Sequence, residues 1–510
     1  MEYVHSPEEM SKRRSRQLNT TSRELSSIVD ALNIGLYING EWVDAAGGRT
    51  FAVENPATGE TIAHVADGSI ADAERAIAIA GNAQASWATT APRERSEILR
   101  RAYELVIQRT EELAALITAE MGKPLNDARG EVAYGAEFLR WFSEEAVRIS
   151  GDYTTSNDGK NRILVTRVPV GPSVLITPWN FPLAMGTRKI GPAIASGCTM
   201  LFKPAAETPL TSLALVQILH EAGLPKGVLN VVTTTDASKV VTSWMDSGIA
   251  RKVSFTGSTE VGKLLLAQTA TNVMRSSLEL GGNAPFVVCE DADLDRAVDG
   301  AMIAKLRNMG EACTAANRFL VHRSIAAAFS GKLAQRMGTL KVGDGALPGT
   351  DIGPLVDMAA LMKVQSLVDD ALGRGAQLLT GGSRRGDIGY FYDPTVLSDV
   401  SPHSMMMNTE IFGPVASVIP FDSDAEAISL ANNTDAGLVG YLFTESIDRA
   451  LQLSDDMEVG MVGVNTGIVS NPGAPFGGVK HSGLGREGGR VGIDEFLEYK
   501  YLAIPKKCKS

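Results

Sequence analysis

The sequence predicts an α/β protein built around a parallel β-sheet, with a second α/β region and a small β extension. Three observations lead there. After Gly171 short apolar runs alternate with segments of helical periodicity: "SVLI", a helix to about residue 197, "TMLFK", a helix over 211–222, "GVLNVV", a further helix and "KVSF". That alternation is the β-α-β rhythm of parallel strands. A second α/β stretch runs from about 282 to 480, and at 510 residues the chain has room for about three domains.

Taken in order, the first 35 residues are polar and include "SKRRSRQ" at 11–17 with no apolar segment behind the charges. This is not the pattern of a secretory signal, and Glu8, Glu9 and Glu24 argue against an acid-poor transit peptide. Residues 1–35 are therefore expected to be a solvated extension, with ordered structure beginning near Tyr37. "YINGEWV" places an Asn-Gly turn between strand-like pairs, a hairpin signal. Leu99, Ala102, Leu105, Val106, Leu113, Leu116 and Ile117 recur at helical spacing, which predicts one helix over 99–121 ended by "GKP". "NDGKN" at 157–161, followed by the alternating "RILVTRV", predicts a second hairpin.

Composition excludes several classes. A formal net charge of −11 without a basic cluster in the body of the chain argues against nucleic acid as a partner. No run approaches the ~20 uninterrupted apolar residues of a membrane span. The four cysteines are far apart and no C-x-x-C occurs, so neither a metal cluster nor a disulfide framework is expected. Few cysteines and no signal point to the cytoplasm. Cys198 and Cys289 lie at the edges of apolar runs and read as packing thiols, and Cys508 lies in the tail. Cys313, in "NMGEACTAANR", sits instead among small and polar residues. It is either a small residue under a loop or a nucleophile.

Ligands of a parallel sheet bind beyond the carboxyl ends of its strands, so those positions bear the chemistry. "TPWNFP" (177–182) follows "SVLI" and is stiffened by its prolines, with Asn180 as the flexible donor. Asn180 could stabilise an oxyanion or simply bond its own turn. Lys203 ends "TMLFK" and faces either a ligand or solvent. "TGSTEVGKLL" opens a helix whose first N–H groups would attract phosphate. The perfect G-x-G-x-x-G at Gly483, Gly485 and Gly488 is rejected as a dinucleotide loop. It follows no apolar strand, and too little chain remains for a βαβ unit. Glu279, in "SLELGGNAP", is a carboxylate inside an apolar run, suited to a general base or to an ion pair.

Together "TPWNFP", "FTGSTEVG", "LELGGNAP", "GEACTAANR", "EIFGPV" and "PFGGVKHSGLGRE" occur in order and at matching spacing, and from about residue 36 onward the chain resembles the NAD(P)-dependent aldehyde dehydrogenases. The resemblance implies that fold. A Rossmann-like cofactor-binding domain would span 36–150 and 170–281, an α/β catalytic domain 282–481, and a small β oligomerisation arm 151–169 and 490–510, in a homodimer or homotetramer. It implies Cys313 as nucleophile, Glu279 as the base that activates water, Asn180 as oxyanion donor and Lys189 on the proton path from the base. The cofactor would be held by Thr177, Pro178, Trp179, Lys203, Ala206, Gly257, Ser258, Glu410 and Phe412. Ala315, two residues past Cys313, leaves no partner for a redox switch there. Ala206 stands where many NAD-preferring relatives carry Glu, which favours NADP over NAD, because no carboxylate would repel a 2′-phosphate.

Within the family the chain is most similar to the succinate-semialdehyde branch. There Arg188, Arg307 and Ser470, with Phe476 beside them, would grip the distal carboxylate of a small-molecule aldehyde, a task suited to the planar guanidinium fork. Glutarate semialdehyde and a broad aldehyde range are the alternatives. An acylating dehydrogenase would not use Glu279, a non-enzymatic relative would have lost Cys313 or Glu279, and a cysteine hydrolase would need a paired His.

Overall fold

The computed structural model describes residues 25–506. Residues 1–24 of the expected extension, Cys508 and the last residues of the expected arm lie outside that range. The extension is already docked by Leu25. Residues 25–30 are helical, and Leu25, Ile28, Val29 and Leu32 pack against the main core, a helical apolar spacing that the polar composition of the segment hides.

The first sheet has eight strands in the order Glu41–Val43, Leu36–Ile38, Leu229–Val231, Met200–Lys203, Ser173–Ile176, Lys252–Thr256, Arg275–Glu279, Gly483–Leu484. The five strands from Leu229–Val231 to Arg275–Glu279 are parallel, and antiparallel strands close both edges. The Asn39-Gly40 turn joins the first hairpin with both residues at positive φ, 57° and 77°, the backbone twist that a two-residue hairpin requires. The rejected glycine motif begins in the edge strand Gly483–Leu484, where Gly483 pairs with Glu279.

The helix expected over 99–121 is two helices, Pro92–Gln108 and Thr110–Met121. Arg109 breaks them apart at φ −101° and ψ 24°, and its guanidinium is held by both carboxylate oxygens of Glu221. The apolar face continues across the break, which is why periodicity alone reads it as one helix.

The second sheet runs Gln377–Thr380, Thr395–Ser398, Val415–Phe421, Ala316–His322, Ala284–Val288, Val439–Phe443, Met461–Val464, parallel except at its first pair. A third sheet of Asp152–Thr155, Asn161–Pro169 and Leu497–Pro505 stands apart. Its outer strand is exposed from Glu498 to Pro505, with Tyr499 at 70% and Tyr501 at 59%. No helix among the described residues is long and apolar enough to cross a membrane.

Candidate active site

In the first sheet Ser173–Ile176 pairs with Met200–Lys203 on one side and with Lys252–Thr256 on the other. The chain leaves in one direction and returns in the other, so the strand order reverses there and a crevice opens beyond the carboxyl ends. Thr177 to Asn180 leave from one strand end and Gly257-Ser258 from the next. Between them lies a cavity of about 210 Å³, lined by Pro178, Trp179, Asn180, Gly257, Ser258, Glu279, Cys313, Glu410 and Phe412 among others. Thus chemistry-bearing residues from five separate stretches of sequence meet in one space.

Cys313 is half-buried, whereas Cys198 and Cys289 are fully buried in the cores. Its loop is reached through Asn308, Met309 and Gly310 at φ 55°, 58° and 83°. Two of these are not glycine, and such strain persists only where the surroundings enforce it. The enforcement is visible. Asn308 Nδ2 donates to the carbonyls of Asn180 (3.1 Å) and Glu311 (2.8 Å), and Met309 is buried against Met121 and Ile352. Gly282 lets the loop approach: a Cβ there would lie 2.4 Å from the Cys313 carbonyl oxygen. Asn180 Nδ2 donates to the Glu311 carbonyl at 2.9 Å, which fixes the amide plane and leaves its second hydrogen available.

Burial pushes the Cys313 thiol up to about 12, with Arg188 and, less, Arg307 pulling it down while Glu410 and Glu279 oppose them. Arg307 thus favours the thiolate but does not dominate. Glu279 ends Arg275–Glu279, is 3% exposed, and its Oε2 is buried without a hydrogen-bond partner. Burial, then the neighbouring Glu487, raise its pKa well above the carboxylate range, and Arg188, Lys189 and Arg486 counter only in part. Glu487 shifts the other way. Burial opposes its charge, but Lys189 and Arg188 outweigh that and hold it ionised. Lys189 Nζ donates to Glu487 Oε1 at 2.6 Å and to Ser254 Oγ at 3.1 Å, and Arg188 Nε pairs with Glu487 Oε2 at 2.6 Å. Of these two buried carboxyls, Glu279 therefore keeps its proton to higher pH while Glu487 stays charged.

On the other wall, the residues fit a nicotinamide dinucleotide. Ser258 lines the cavity and caps the helix Thr259–Thr269, accepting from the Val261 N–H, and a helix start beside the crevice favours an anion such as a phosphate. Thr256 Oγ1 lines the cavity buried and without a partner, and Thr177 Oγ1 is likewise orphaned. Phe412 is held at φ 56° with its ring perpendicular to Trp179 at 5.4 Å, and Glu410 Oε1 accepts from Gly282 N at 3.0 Å. Burial raises Glu410 to about 7. Lys203 is 8% exposed, its pKa lowered by burial and supported by Glu207. Ala206 is half-buried and Glu207 exposed.

The expected carboxylate grip divides in two. Arg307 Nη1 donates to Ser470 Oγ at 2.8 Å, and its guanidinium stands 5.3 Å from the Tyr134 ring and 5.1 Å from that of Phe181. Arg188 is 1% exposed, engaged by Glu487 and stacked 4.2 Å over Phe476. None of these four expected substrate residues is among those lining the cavity shared by Cys313 and Glu279.

Sequence reasoning missed Glu487, hidden in the rejected glycine motif, and Tyr134, whose one signal is an aromatic on the helix Leu125–Glu145. It also missed Lys123 and Glu131, because "GKP" reads as a stop.

A family model described as "Aldehyde dehydrogenase family" matches residues 42–502. A succinate-semialdehyde dehydrogenase of Paenarthrobacter nicotinovorans is 56% identical over 87% of this chain and 98% of its own length. A glutarate-semialdehyde dehydrogenase of Pseudomonas putida is 48% identical over 92% of this chain and 97% of its own. The crystal structure of a succinate-semialdehyde dehydrogenase from Burkholderia pseudomallei superposes with a TM-score of 0.92 at 48% identity, covering 93% of this chain and 98% of that one.

Proposed function

The chain belongs to the aldehyde dehydrogenase family and is an oxidoreductase, and we propose that its reaction is the oxidation of succinate semialdehyde to succinate with NADP, or NAD, as acceptor. The observation that carries the substrate choice is the Arg307–Ser470 pair, a cation and a hydroxyl held 2.8 Å apart, with Arg307 six residues before Cys313. A carboxylate at the far end of a short aldehyde matches that donor set.

The steps follow from the groups present. Cys313 adds to the aldehyde carbon as the thiolate, which Arg188 and Arg307 favour, its proton having passed to solvent. The Asn180 amide hydrogen and the Cys313 N–H hold the developing oxyanion. A nicotinamide dinucleotide held by Trp179, Ser258, Glu410 and Phe412 would supply the hydride acceptor, and loss of hydride from the Cys313 adduct would leave a thioester on that residue. Glu279 then takes a proton from water, hydroxide adds to the thioester carbonyl, the C–S bond breaks, and the departing thiolate takes the proton of the new carboxylic acid, which restores the thiol and leaves the carboxylate product. Lys189 and Glu487 carry the released proton away from Glu279.

Arg307→Ala is expected to lower kcat/KM for succinate semialdehyde by roughly 10- to 150-fold, as for hydrogen bonds to a charge worth about 1.5–3 kcal/mol, while an uncharged aldehyde of equal length is little affected. Equal losses on both would remove the carboxylate grip. A steady-state comparison of four- and five-carbon semialdehydes separates this reading from the glutarate semialdehyde reading that the Pseudomonas putida relative favours. One methylene is worth only ~1–3 kcal/mol, so both will turn over and the ratio decides.

Ala206 supports NADP, because nothing acidic at that position meets a 2′-phosphate beside Lys203. Ala206→Glu should shift the NADP/NAD ratio of kcat/KM toward NAD by about tenfold or more. An unchanged ratio would remove Ala206 as the determinant.

The third sheet supports assembly as a homodimer or homotetramer. Its exposed outer strand offers unpaired backbone groups and aromatic side chains, which another subunit would cover.

A further inference from the structure

We propose that the buried ion pair of Lys123 and Glu131 positions the Asn180 amide, and so acts on the first chemical step without touching the substrate. This rests on the reading of Asn180 as oxyanion donor. Lys123 is 0% and Glu131 2% exposed, with Nζ and Oε2 2.5 Å apart. Four further contacts reach one short stretch of chain, residues 180–184. Lys123 Nζ donates to the Asn180 carbonyl at 2.8 Å and stands 4.1 Å over the Phe181 ring. Glu131 Oε1 accepts from the N–H groups of Leu183 at 2.9 Å and Ala184 at 3.2 Å, donors at the start of the helix Ala184–Ser196 that have no acceptor within it.

The pair therefore grips the oxyanion loop at both ends, from two different elements. Lys123 follows the helix Thr110–Met121, and Glu131 belongs to Leu125–Glu145. A buried ion pair is a poor way to add stability, since two apolar side chains of similar volume often serve as well. What charge supplies here is direction, because each group has a defined partner on the loop. The Asn180 side chain has only one other fixed point, its bond to the Glu311 carbonyl. Loss of Lys123 would leave the Asn180 carbonyl to the longer bond from Asn308 Nδ2 at 3.1 Å alone, and a displacement of about 1 Å at such a donor can cost about 100-fold in rate.

The test is a double-mutant cycle on the single-turnover burst of reduced cofactor, with aldehyde KM and cofactor Kd measured alongside. Asn180→Ala should slow the burst about 100- to 1,000-fold, and Lys123→Met should slow it about tenfold or more. The double variant should be within about twofold of Asn180→Ala alone, since removing the donor removes what Lys123 acts through. KM and Kd should stay near wild type in Lys123→Met. Losses that multiply in the double variant, or an unchanged burst in Lys123→Met, would overturn the positioning role. A wild-type burst in Asn180→Ala would overturn the oxyanion reading and this role together, an outcome visible in that single variant. Should Lys123→Met not fold, Glu131→Gln enters the same cycle, with the same supporting and contrary results. It keeps the acceptor for Leu183 and Ala184 and removes the charge that holds Lys123.

Discussion

Cys313→Ala abolishes aldehyde oxidation, lowering turnover by at least about 10⁴-fold, and leaves cofactor binding near wild type. The size of the loss follows from the chemistry, because among the described residues no other thiol can substitute. Cys198 and Cys289 are fully buried in cores away from the crevice. Cofactor binding is expected to survive because the proposed cradle uses Trp179, Ser258, Glu410 and Phe412, which line the cavity, rather than the thiol. Fluorescence titration and steady-state rates on one preparation check both halves, and retained turnover would rule out the nucleophile role.

Glu279→Gln produces a burst of about one reduced cofactor per subunit, followed by turnover slowed about 10²- to 10⁴-fold. Gln fills the same space in the strand but cannot take the proton from water, so the thioester accumulates. The pH dependence has a definite sign. Burial and Glu487 raise the Glu279 carboxyl well above its ordinary value, so it is protonated and idle as a base up to a higher pH than a solvent-exposed carboxylate. Steady-state turnover should rise as pH increases through that raised pKa and fall away below it, and the rise should be missing in Glu279→Gln. A variant without a burst, or with the wild-type pH profile, would remove Glu279 as the base.

The parallel sheet was legible because each strand is short, apolar and followed by a helix, so "SVLI", "TMLFK" and "KVSF" could be placed without knowing their order. The order itself was not legible. That Ser173–Ile176 lies between Met200–Lys203 and Lys252–Thr256 is a non-local pairing, and it is what opens the crevice. Local turn chemistry was equally readable at Asn39-Gly40, whose positive φ angles the residue types announce. The break at Arg109 was not, since the apolar stripe continues on both sides of it.

Residues of the candidate site were legible where they end a strand or sit in a loop of unusual composition, as do Asn180, Glu279 and Cys313, which meet in one cavity. The polar partners that set their chemistry were hidden by distance along the chain. Glu487 comes from near the end of the sequence, yet it engages Arg188 and Lys189 and raises Glu279. It also redirects Arg188, which resembles a substrate ligand in the sequence and in the structure is stacked on Phe476 with its Nε against Glu487.

The most direct measurement is peptide mass spectrometry of Glu279→Gln quenched after one turnover with succinate semialdehyde and cofactor. A succinyl group on the peptide carrying Cys313, absent when cofactor is omitted, is the predicted result. An adduct on another residue, or no adduct despite a full burst, would contradict the covalent account.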